Sequence, residues 1–442
     1  MNFTKEQQSA IDVRGCNVLV SAAAGSGKTG VLTERIVSRL KDGENIDELL
    51  TLTFTRAAAG EMKTRVRQKI TAEAEKAPTE QRAFWQKQLA LIGDAPITTL
   101  HSFCLRLLRR HYNLLPGLDP KFHITDPRRA AILRSDLLSA YLEECYTEAD
   151  EEKRQRFFDL LRLYGSRLSD DGLKKEILRL MEFGCAQGDP ASWLDMACAR
   201  FGDVAFWHDA AIAQARNCVS LLIAETERDI AEMDRRGGGM SAVNTLNNDL
   251  SALRELEKGE WQDFLSASPF GRKAPRRKDE DPELDEYMKL RREERKKYFS
   301  DHVDPIFLCS FADYEKEIEA MLPQMETLAH MTKTFVARYT DEKLKHSSLD
   351  FSDLELYVVK LLTENPALAK EYQSFFKEVL VDEYQDINPL QDKILTLLAG
   401  KGRLFTVGDI KQSIYGFRLA DHTLFRDRSL SYQRMLPTKT AC

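Results

Sequence analysis

Residues 21–29 read Ser-Ala-Ala-Ala-Gly-Ser-Gly-Lys-Thr, and they decide the predicted fold. They follow the apolar run 17–20, which predicts a buried strand, and they precede a segment with apolar residues at helical spacing. A strand, a loop of small residues and a helix beginning near Lys28 form the arrangement of a phosphate-binding loop. Ala22 stands where the usual pattern has its first glycine. A flexible turn with a chance Gly-Lys-Thr is the alternative, and the flanking strand and helix disfavour it.

Each part of this loop has a predicted role in binding a nucleoside triphosphate. Small residues let backbone N–H groups surround a polyphosphate, and the helix N-terminus adds partial positive charge. Lys28 would supply an ammonium group, and Thr29 a hydroxyl ligand for Mg²⁺. Upstream, Gln7 could pair with an adenine edge or merely close a capping box with Thr4. The predicted ATP-binding residues are Gln7, Ala22, Ala23, Ala24, Gly25, Ser26, Gly27, Lys28 and Thr29.

Composition limits the class of protein. A chain of 442 residues is too long for one ordinary core, and 43% hydrophobic with 30% charged residues is typical of a soluble globular protein. The net charge of −6 does not exclude nucleic-acid binding, because a local basic groove suffices. Eight scattered cysteines without a Cys-x-x-Cys pair favour reduced thiols over a zinc or iron–sulfur site. Without a signal peptide or a membrane-length apolar run, we expect a cytoplasmic protein.

Further strands are predicted at 49–55, 96–100, 379–381 and 403–407. Between the second and third of these, a helical region begins with Asp126 as N-cap and Pro127 in the first turn, and it continues to about residue 346. The predicted fold class is therefore α/β, a parallel sheet with a large all-helical insertion. Basic clusters at 272–278 and 289–297 lie in this region. A solvated, internally paired surface and phosphate contacts both remain open for them.

Two acids follow the strand at 379–381, where they would face the phosphate loop. Asp382 would hold the Mg²⁺ shared with Thr29, and Glu383 would polarise the attacking water. Gln412, after the last strand, is placed to sense the γ-phosphate. We therefore predict Lys28, Glu383 and Gln412 as catalytic residues, and we expect Lys28 and the two acids to meet around one nucleotide at neighbouring strand tips of a single sheet. The alternative is a pair of acids that only solvates a strand end.

Aromatic residues at the same predicted strand ends are candidates for stacking on bases. Phe54 follows the second strand, and Tyr415 and Phe417 follow the last one. Flat aromatic faces can stack on the bases of single-stranded nucleic acid. Taken alone, Phe54 would more often be a core residue.

Six motifs occur in order along the chain: TKEQQSAI, AAAGSGKT, TFTRAAAGEM, TTLHSFC, VDEYQD and VGDIKQSIYGFR. This ordered set resembles the first RecA-like half of the UvrD/Rep group of superfamily-one DNA helicases. The long helical insertion and the phrase LDFSDL at 349–354 make the chain resemble most the AddA type, the helicase–nuclease subunits related to RecB. The resemblance covers residues 1–427.

The resemblance implies the amino-terminal motor portion of an ATP-dependent 3′–5′ DNA helicase/nuclease subunit that acts in double-strand-break repair by recombination. It implies ATP and Mg²⁺ as cofactors, single-stranded and duplex-end DNA as substrates, and an AddB-type partner subunit. It also places Gln7 on adenine and Arg418 on DNA. The predicted DNA-binding set is Phe54, Thr55, Arg56, His101, Tyr415, Phe417 and Arg418.

The resemblance also divides the chain. Residues 1–125 and 347–427 would form the RecA-like domain 1A, 126–346 a helical insertion like domain 1B, and 428–442 a tail. Helicases of this class complete the ATP site with arginines from a second RecA-like domain. We expect that domain and the nuclease domain to be missing from these residues, so that they hydrolyse ATP poorly on their own.

Three positions depart from the family pattern. Arg56 stands where relatives usually have asparagine, Gly30 where many have arginine, and Phe417 where many have tryptophan. None of them removes a predicted catalytic group. Two other interpretations stay open, a UvrD/PcrA-like repair helicase without a nuclease and a non-catalytic DNA-binding fragment.

Overall fold

The structure is a computed structural model that describes residues 3–23, 25–165, 169–272, 277 and 281–432. Its strands are β1 (Val18–Ser21), β2 (Leu49–Thr53), β3 (Ile97–Thr99), β4 (His123–Ile124), β5 (Ser348–Leu349), β6 (Glu378–Val381) and β7 (Leu404–Gly408). Five of them form a parallel sheet in the order β1-β7-β6-β2-β3.

Most of the described chain is helical. The helices are α1 (Lys5–Asp12), α2 (Lys28–Lys41), α3 (Arg56–Lys76), α4 (Thr79–Leu91), α5 (Leu100–His111), α6 (Pro127–Tyr146), α7 (Glu151–Tyr164), α8 (Asp171–Gln187), α9 (Pro190–Phe201), α10 (Val204–Arg236), α11 (Met240–Leu256), α12 (Trp261–Leu265), α13 (Pro282–His302), α14 (Phe311–Lys345), α15 (Phe351–Glu364), α16 (Pro366–Phe375), α17 (Pro389–Ala399) and α18 (His422–Ser431). The prediction of an α/β chain with a parallel sheet is confirmed.

The sheet is buried on both faces. Along β6, Val379 and Val381 belong to an apolar cluster with α5, α15 and α17, whereas Leu380 belongs to a second cluster with α2, α3 and α4. Successive side chains of a strand point to opposite faces, so these two clusters lie on the two sides of the sheet. Helices on both faces explain why the strands read as continuous apolar runs.

The strand order corrects one expectation about the site. The strand that leads to the phosphate loop and the strand that leads to the acids are not neighbours, because β7 lies between β1 and β6 and pairs with both in parallel. The prediction of neighbouring strand tips is therefore wrong. All three strands still end at the same edge, and the end of β7 lies between the other two.

A small two-stranded sheet, which the sequence did not predict, joins the segment before α6 to the segment after α14. Strands β4 and β5 pair in parallel. The amide of His123 donates to the carbonyl of Ser347 over 3.0 Å, and the amide of Thr125 donates to Leu349 over 2.8 Å. Strands of two residues are too short for a recognisable alternation of apolar and polar residues. This pairing keeps the beginning of α6 close to the end of α14.

Two compact units make up the chain. The first comprises residues 1–194 and 330–442 and contains both sheets, and the second comprises residues 195–329 and is helical in its described part. Helices α6, α7 and α8 thus belong to the unit that contains the sheet. The predicted domain ranges 1–125, 126–346, 347–427 and 428–442 remain a prediction, since the compact units divide the helical region at other positions.

The second basic cluster, residues 289–297, is largely paired within the chain. Arg292 is buried and donates to both carboxylate oxygens of Asp249, over 2.5 and 2.8 Å, and the buried Arg295 is paired with Asp229. The exposed Lys289 pairs with Glu286. These contacts favour the internally paired interpretation over phosphate contacts at this cluster. Of the basic residues in the first cluster, only Arg272 and Arg277 fall within the described residues.

A buried ion pair ties α2 to β6. Arg35 donates from Nε to Glu378 Oε2 over 2.9 Å and from a terminal nitrogen to Oε1 over 2.5 Å, and both side chains are almost fully buried. The guanidinium also lies 4.2 Å from the centre of the Phe405 ring on β7. Helix α2 begins at the phosphate loop, and β6 ends at the acids. This pair therefore helps to fix the position of the loop relative to the acids.

We expect Arg35→Met to lower the free energy of unfolding by about 3–5 kcal/mol, because it removes the two close hydrogen bonds to the buried Glu378 carboxylate and leaves only Arg39, 3.9 Å away. Urea unfolding followed by circular dichroism measures this loss. The control is Arg65→Met, which removes an exposed pair with Glu61 and should cost less than about 0.5 kcal/mol. Equal losses for the two variants would contradict the importance of the buried pair.

Candidate functional site

The loop between β1 and α2 has the backbone of a phosphate cradle. Gly25 and Gly27 have φ of +74° and +84°, in the left-handed region that favours glycine. Gly27 is the N-cap of α2, and no side chain caps that end of the helix. The amides of the first turn are therefore available to an anion. At the start of the loop, the amide of Ala22 donates to the carbonyl of Gly408 over 3.0 Å, which anchors the loop to β7.

The remaining predicted loop residues are placed by the same elements. Lys28 and Thr29 form the beginning of α2, and both are half-buried. Ala23 and Ser26 are exposed, and Ala24 lies outside the described residues. Their roles toward ATP remain predictions.

Gln7 connects α1 to this loop. The predicted capping box is confirmed, with Thr4 Oγ1 accepting from the Gln7 amide over 3.2 Å and Gln7 Oε1 accepting from the Thr4 amide over 2.9 Å. The same side chain donates from Nε2 to the carbonyl of Ser26 over 2.8 Å. The capping contact and a position beside the phosphate loop thus coexist, and the contact with adenine remains a prediction.

The phosphate loop and the acids meet. Lys28 Nζ lies 3.4 Å from Glu383 Oε2, although the two residues are 355 positions apart in the chain. This contact joins the first turn of α2 to the end of β6. The backbone of Glu383 is left-handed at φ 54° and ψ 45°, a conformation that costs energy for a residue with a side chain and that is common at functional sites. Its amide donates to Asp382 Oδ1 over 3.1 Å.

The site carries an excess of negative charge. Burial, and next the charge of Glu383, raises the pKa of Asp382 to about 6, and the same two causes raise the pKa of Asp386 to about 6. Lys28 opposes both shifts. A divalent cation beside Asp382 would offset the repulsion among these carboxylates.

The residues at the site fit a Mg²⁺ ion that is bound together with phosphate. Among the described residues, no group of three or more His, Cys, Asp or Glu side chains could hold a metal ion. Mg²⁺ commonly uses one or two protein oxygens and completes its shell with phosphate oxygens and water. Thr29 and Asp382 could supply such protein ligands.

Gln412 follows β7 on a short 3₁₀ turn, Ile410–Gln412. Its Nε2 donates to the carboxylate of Asp409, and the amide of Lys411 donates to the same carboxylate over 3.0 Å. The hydrogen bond from Gln412 is the main reason why the pKa of Asp409 lies below its usual range. The structure thus places Gln412 at the end of the strand between β1 and β6.

The predicted stacking residues form one aromatic group, defined here as Phe54, Tyr415 and Phe417. The ring centres of Phe54 and Tyr415 are 4.6 Å apart, and those of Tyr415 and Phe417 are 5.8 Å apart. Phe54 is half-buried, whereas 76% of Phe417 is exposed. An exposed ring at the end of a sheet can offer its face to a base.

The other predicted DNA contacts lie around this group. Thr55 and Arg56 are exposed, and Thr55 caps α3 by accepting from the amide of Ala58 over 3.1 Å. Arg418 lies on the 3₁₀ turn that follows Tyr415, and its side chain is outside what the structure describes. Their contacts with DNA remain predictions.

His101 lines a cavity of about 520 Å³ at the carboxyl ends of β2, β3 and β6. Its Nε2 lies 3.2 Å from Oε1 of the buried Glu355, and its ring meets the ring of Phe351 edge-on. Gln391 donates to the same Glu355 oxygen over 2.8 Å, and burial raises the pKa of Glu355. The cavity also borders Phe417 and Glu383, so the predicted DNA and ATP residues face one space.

Sequence reasoning missed Glu355, Gln385 and Asp386 at this site. Glu355 directly follows the phrase LDFSDL, and the other two lie inside the VDEYQD motif. Position in or next to a motif was the available signal, but the contact of Glu355 with His101 and that of Gln385 with Asp409 join distant segments. The phrase LDFSDL itself starts α15, since Asp350 and Asp353 form its capping box and Lys343 donates to Asp353 over 2.6 Å.

Comparison with known proteins decides the family. A family model described as the UvrD/REP helicase N-terminal domain matches residues 3–433. The chain belongs to the UvrD/REP helicase family.

Within this family, relatives named as the A subunit of an ATP-dependent helicase/nuclease match nearly the whole chain. The relative from Pediococcus pentosaceus is 36% identical over 453 residues, and those from Alkaliphilus metalliredigens and Geobacillus thermodenitrificans are 37% identical over 444 and 465 residues. The alignments cover 98%, 97% and 96% of the chain but 36% of each relative. The chain thus spans about a third of the length of these relatives. The predicted resemblance to the AddA type is confirmed.

Two further features concern the described residues as a whole. The seven cysteines among them are not joined in disulfides. No helix in the part of the chain that the structure describes is both long enough and apolar enough to cross a membrane.

The raised pKa of Asp382 predicts how pH affects the stability of the ligand-free chain. A carboxyl with a pKa of about 6 when folded and 3.8 as its ordinary value holds its proton more tightly in the folded chain. The ionised Asp382 carboxylate therefore destabilises the folded chain fully at a pH above its folded pKa. This destabilisation is absent at a pH below the ordinary pKa. We expect Asp382→Asn to raise the free energy of unfolding by about 1–2 kcal/mol at pH 8.

Urea unfolding in EDTA between pH 8 and pH 4 measures this effect. The gain should shrink as the pH falls through 6 and should vanish near 4. As a control, Asp427→Asn removes an exposed carboxylate on α18 and should change stability by less than about 0.5 kcal/mol throughout. A gain from Asp382→Asn that does not depend on pH would contradict the assignment.

Proposed function

We propose that residues 1–442 are the RecA-like amino-terminal motor portion of an AddA-type ATP-dependent DNA helicase/nuclease subunit that acts in double-strand-break repair by recombination. The contact between Lys28 and Glu383 carries this proposal, because it brings the phosphate loop and the acids to one point. The names of the relatives support the helicase/nuclease type.

In this proposal, ATP binds across the end of β7. Backbone amides of the loop and the N-terminus of α2 hold the phosphates, and Lys28 turns from Glu383 to the phosphate oxygens. Thr29 and Asp382 would hold Mg²⁺, which would neutralise part of the phosphate charge. Glu383 then orients the attacking water, and Gln412 senses the γ-phosphate. Gln7 lies against the loop, where an adenine would be within its reach.

Single-stranded DNA binds at the aromatic group in the same proposal. The exposed ring of Phe417 stacks on a base, with Phe54 and Tyr415 behind it. Thr55, Arg56, His101 and Arg418 would contact the strand around them. The family resemblance is the basis for inferring duplex DNA ends as substrate, 3′–5′ direction and an AddB-type partner subunit.

The proposal also assigns the helical region to a domain and includes a second RecA-like domain in the full-length protein. Residues 126–346 would correspond to domain 1B, and 1–125 with 347–427 to domain 1A. In helicases of this class, arginines of a second RecA-like domain complete the ATP site. Such arginines contribute about 10³–10⁵-fold to turnover in related phosphate-loop enzymes. Binding is therefore best tested on residues 1–442, and hydrolysis on the full-length protein.

We expect Glu383→Gln to retain nucleotide binding and to abolish hydrolysis. The amide keeps the size of the side chain but cannot act on the water, and loss of such a group costs on the order of 10²–10⁴-fold in rate. A fluorescent ATP analogue measures binding to residues 1–442, and phosphate release measures hydrolysis by the full-length protein. Lys28→Ala is the control that should weaken binding itself. Loss of binding in Glu383→Gln would instead make this acid a ligand or a structural residue.

We expect Phe417→Ala to weaken binding of oligothymidine by about 1–3 kcal/mol, the contribution of one stacked base. Fluorescence anisotropy at fixed salt concentration measures it. The matched control is Ile414→Ala, which removes a similarly exposed apolar side chain, 69% exposed, from the same segment. If both variants bind like the unaltered chain, DNA does not stack on this ring.

A further inference from the structure

Gln385 lies between the acids and the segment that carries Tyr415 and Phe417. It is 1% exposed and belongs to the 3₁₀ turn Tyr384–Asp386, immediately after Glu383. Its Nε2 donates to Glu383 Oε2 over 2.8 Å and to Asp386 Oδ2 over 3.3 Å. The side chain thus holds the oxygen of Glu383 that also faces Lys28.

The other end of the same amide group binds the segment after β7. Gln385 Oε1 accepts from the amide of Asp409 over 2.9 Å, and the main-chain carbonyl of Gln385 accepts from Ser413 Oγ over 3.3 Å. Because a backbone N–H can only donate, the Asp409 contact fixes which end of the amide is the oxygen. Ser413 stands two residues before Tyr415, so the bridge runs from Glu383 to the segment that carries Tyr415 and Phe417.

Close packing holds Gln385 in this position. A Cβ atom on Gly408 would overlap Gln385 Oε1, so a side chain at position 408 would displace the amide. On the other side, the neighbouring Tyr384 is fully buried and donates to Asp392 over 2.7 Å. The turn is thus firmly held, and a movement of the segment 409–413 would be transmitted through the amide.

We propose that Gln385 is a positioning residue that couples DNA contact at the aromatic group to the orientation of the Glu383 carboxylate. This inference rests on the proposed function, since it takes ATP and DNA as the two ligands. When DNA binds Tyr415 and Phe417, the segment 409–413 and the Gln385 amide move together, and the Nε2 donor carries Glu383 with it. By reciprocity, a nucleotide that repositions Glu383 changes the affinity for DNA.

The experiment measures this coupling on residues 1–442. The affinity for oligothymidine is determined by anisotropy, with and without a non-hydrolysable ATP analogue and Mg²⁺, and the ratio of the two affinities is the coupling. We expect a ratio that departs from one by about 5-fold or more in the unaltered chain, and by less than about 2-fold in Gln385→Met. Each ligand alone should bind Gln385→Met within about 3-fold of the unaltered chain.

A second variant identifies the atom responsible. Gln385→Glu keeps an acceptor for the Asp409 amide but removes the donor to Glu383. It should lose the coupling as Gln385→Met does, and retained coupling in this variant would overturn the role of Nε2.

The matched control is Gln88→Met. Gln88 is also fully buried and also bridges two groups, since its Oε1 accepts from the Ile46 amide over 2.9 Å and its Nε2 donates to Asn45 over 3.0 Å. These partners precede β2, at the opposite edge of the sheet. Gln88→Met should lower thermal stability as Gln385→Met does and should keep the coupling ratio.

The outcomes separate the two proposals. Binding of both ligands to the unaltered chain with a ratio of one, or an unchanged ratio in Gln385→Met, overturns the coupling role and leaves the proposed function standing. Loss of both affinities in Gln385→Met makes this residue structural and also overturns the role. An unaltered chain that is folded but binds neither ligand rejects the proposed function and the coupling with it.

Discussion

The shared edge of the parallel sheet is the constraint on which the candidate site depends. Parallel strands end at the same edge, so the segments after β1, β6 and β7 meet, although Lys28 after β1 lies 355 positions from Glu383 after β6. The 3.4 Å contact between Lys28 and Glu383 is the direct result. The buried pair of Arg35 and Glu378 holds the same two elements from within the fold. A displaced strand order would separate the loop from the acids.

The excess of negative charge at this edge favours a bound cation. Asp382 and Asp386 both have a raised pKa, because burial and the neighbouring Glu383 disfavour their ionised forms. Lys28 compensates only in part. A site with this composition gains more from a bound cation than a site whose acids are each paired, and its ligand-free form is correspondingly less stable. The strained backbone of Glu383 points in the same direction, since strain and repulsion often occur at functional sites.

Polar contacts within the first unit hold together the two ends of the long helical region. Strands β4 and β5 pair its two ends, and Lys343 at the end of α14 donates to the paired acids that start α15. Within the second unit, Arg292 and Asp249 form a buried pair between α13 and α11. Such pairs are costly to break because one buried charge would remain. Such internal pairs explain the presence of basic residues that could otherwise suggest a surface for binding nucleic acid.

The sequence by itself determined what depends on neighbouring residues. The loop at 21–29, the capping box of Thr4 and Gln7 and the start of α6 after Asp126 follow from short-range backbone preferences, and all are present. The ordered motifs also indicated the family, which the comparison confirmed. These features need no knowledge of which strands are neighbours.

Only the tertiary structure decided which distant side chains meet. It placed β7 between β1 and β6, turned Arg292 and Arg295 inward, and set Glu355 beside His101. It also put the amide of Gln385 between Glu383 and Asp409. The physical reason is that hydrogen bonds and ion pairs across long separations depend on strand order and helix packing, which local propensity does not encode.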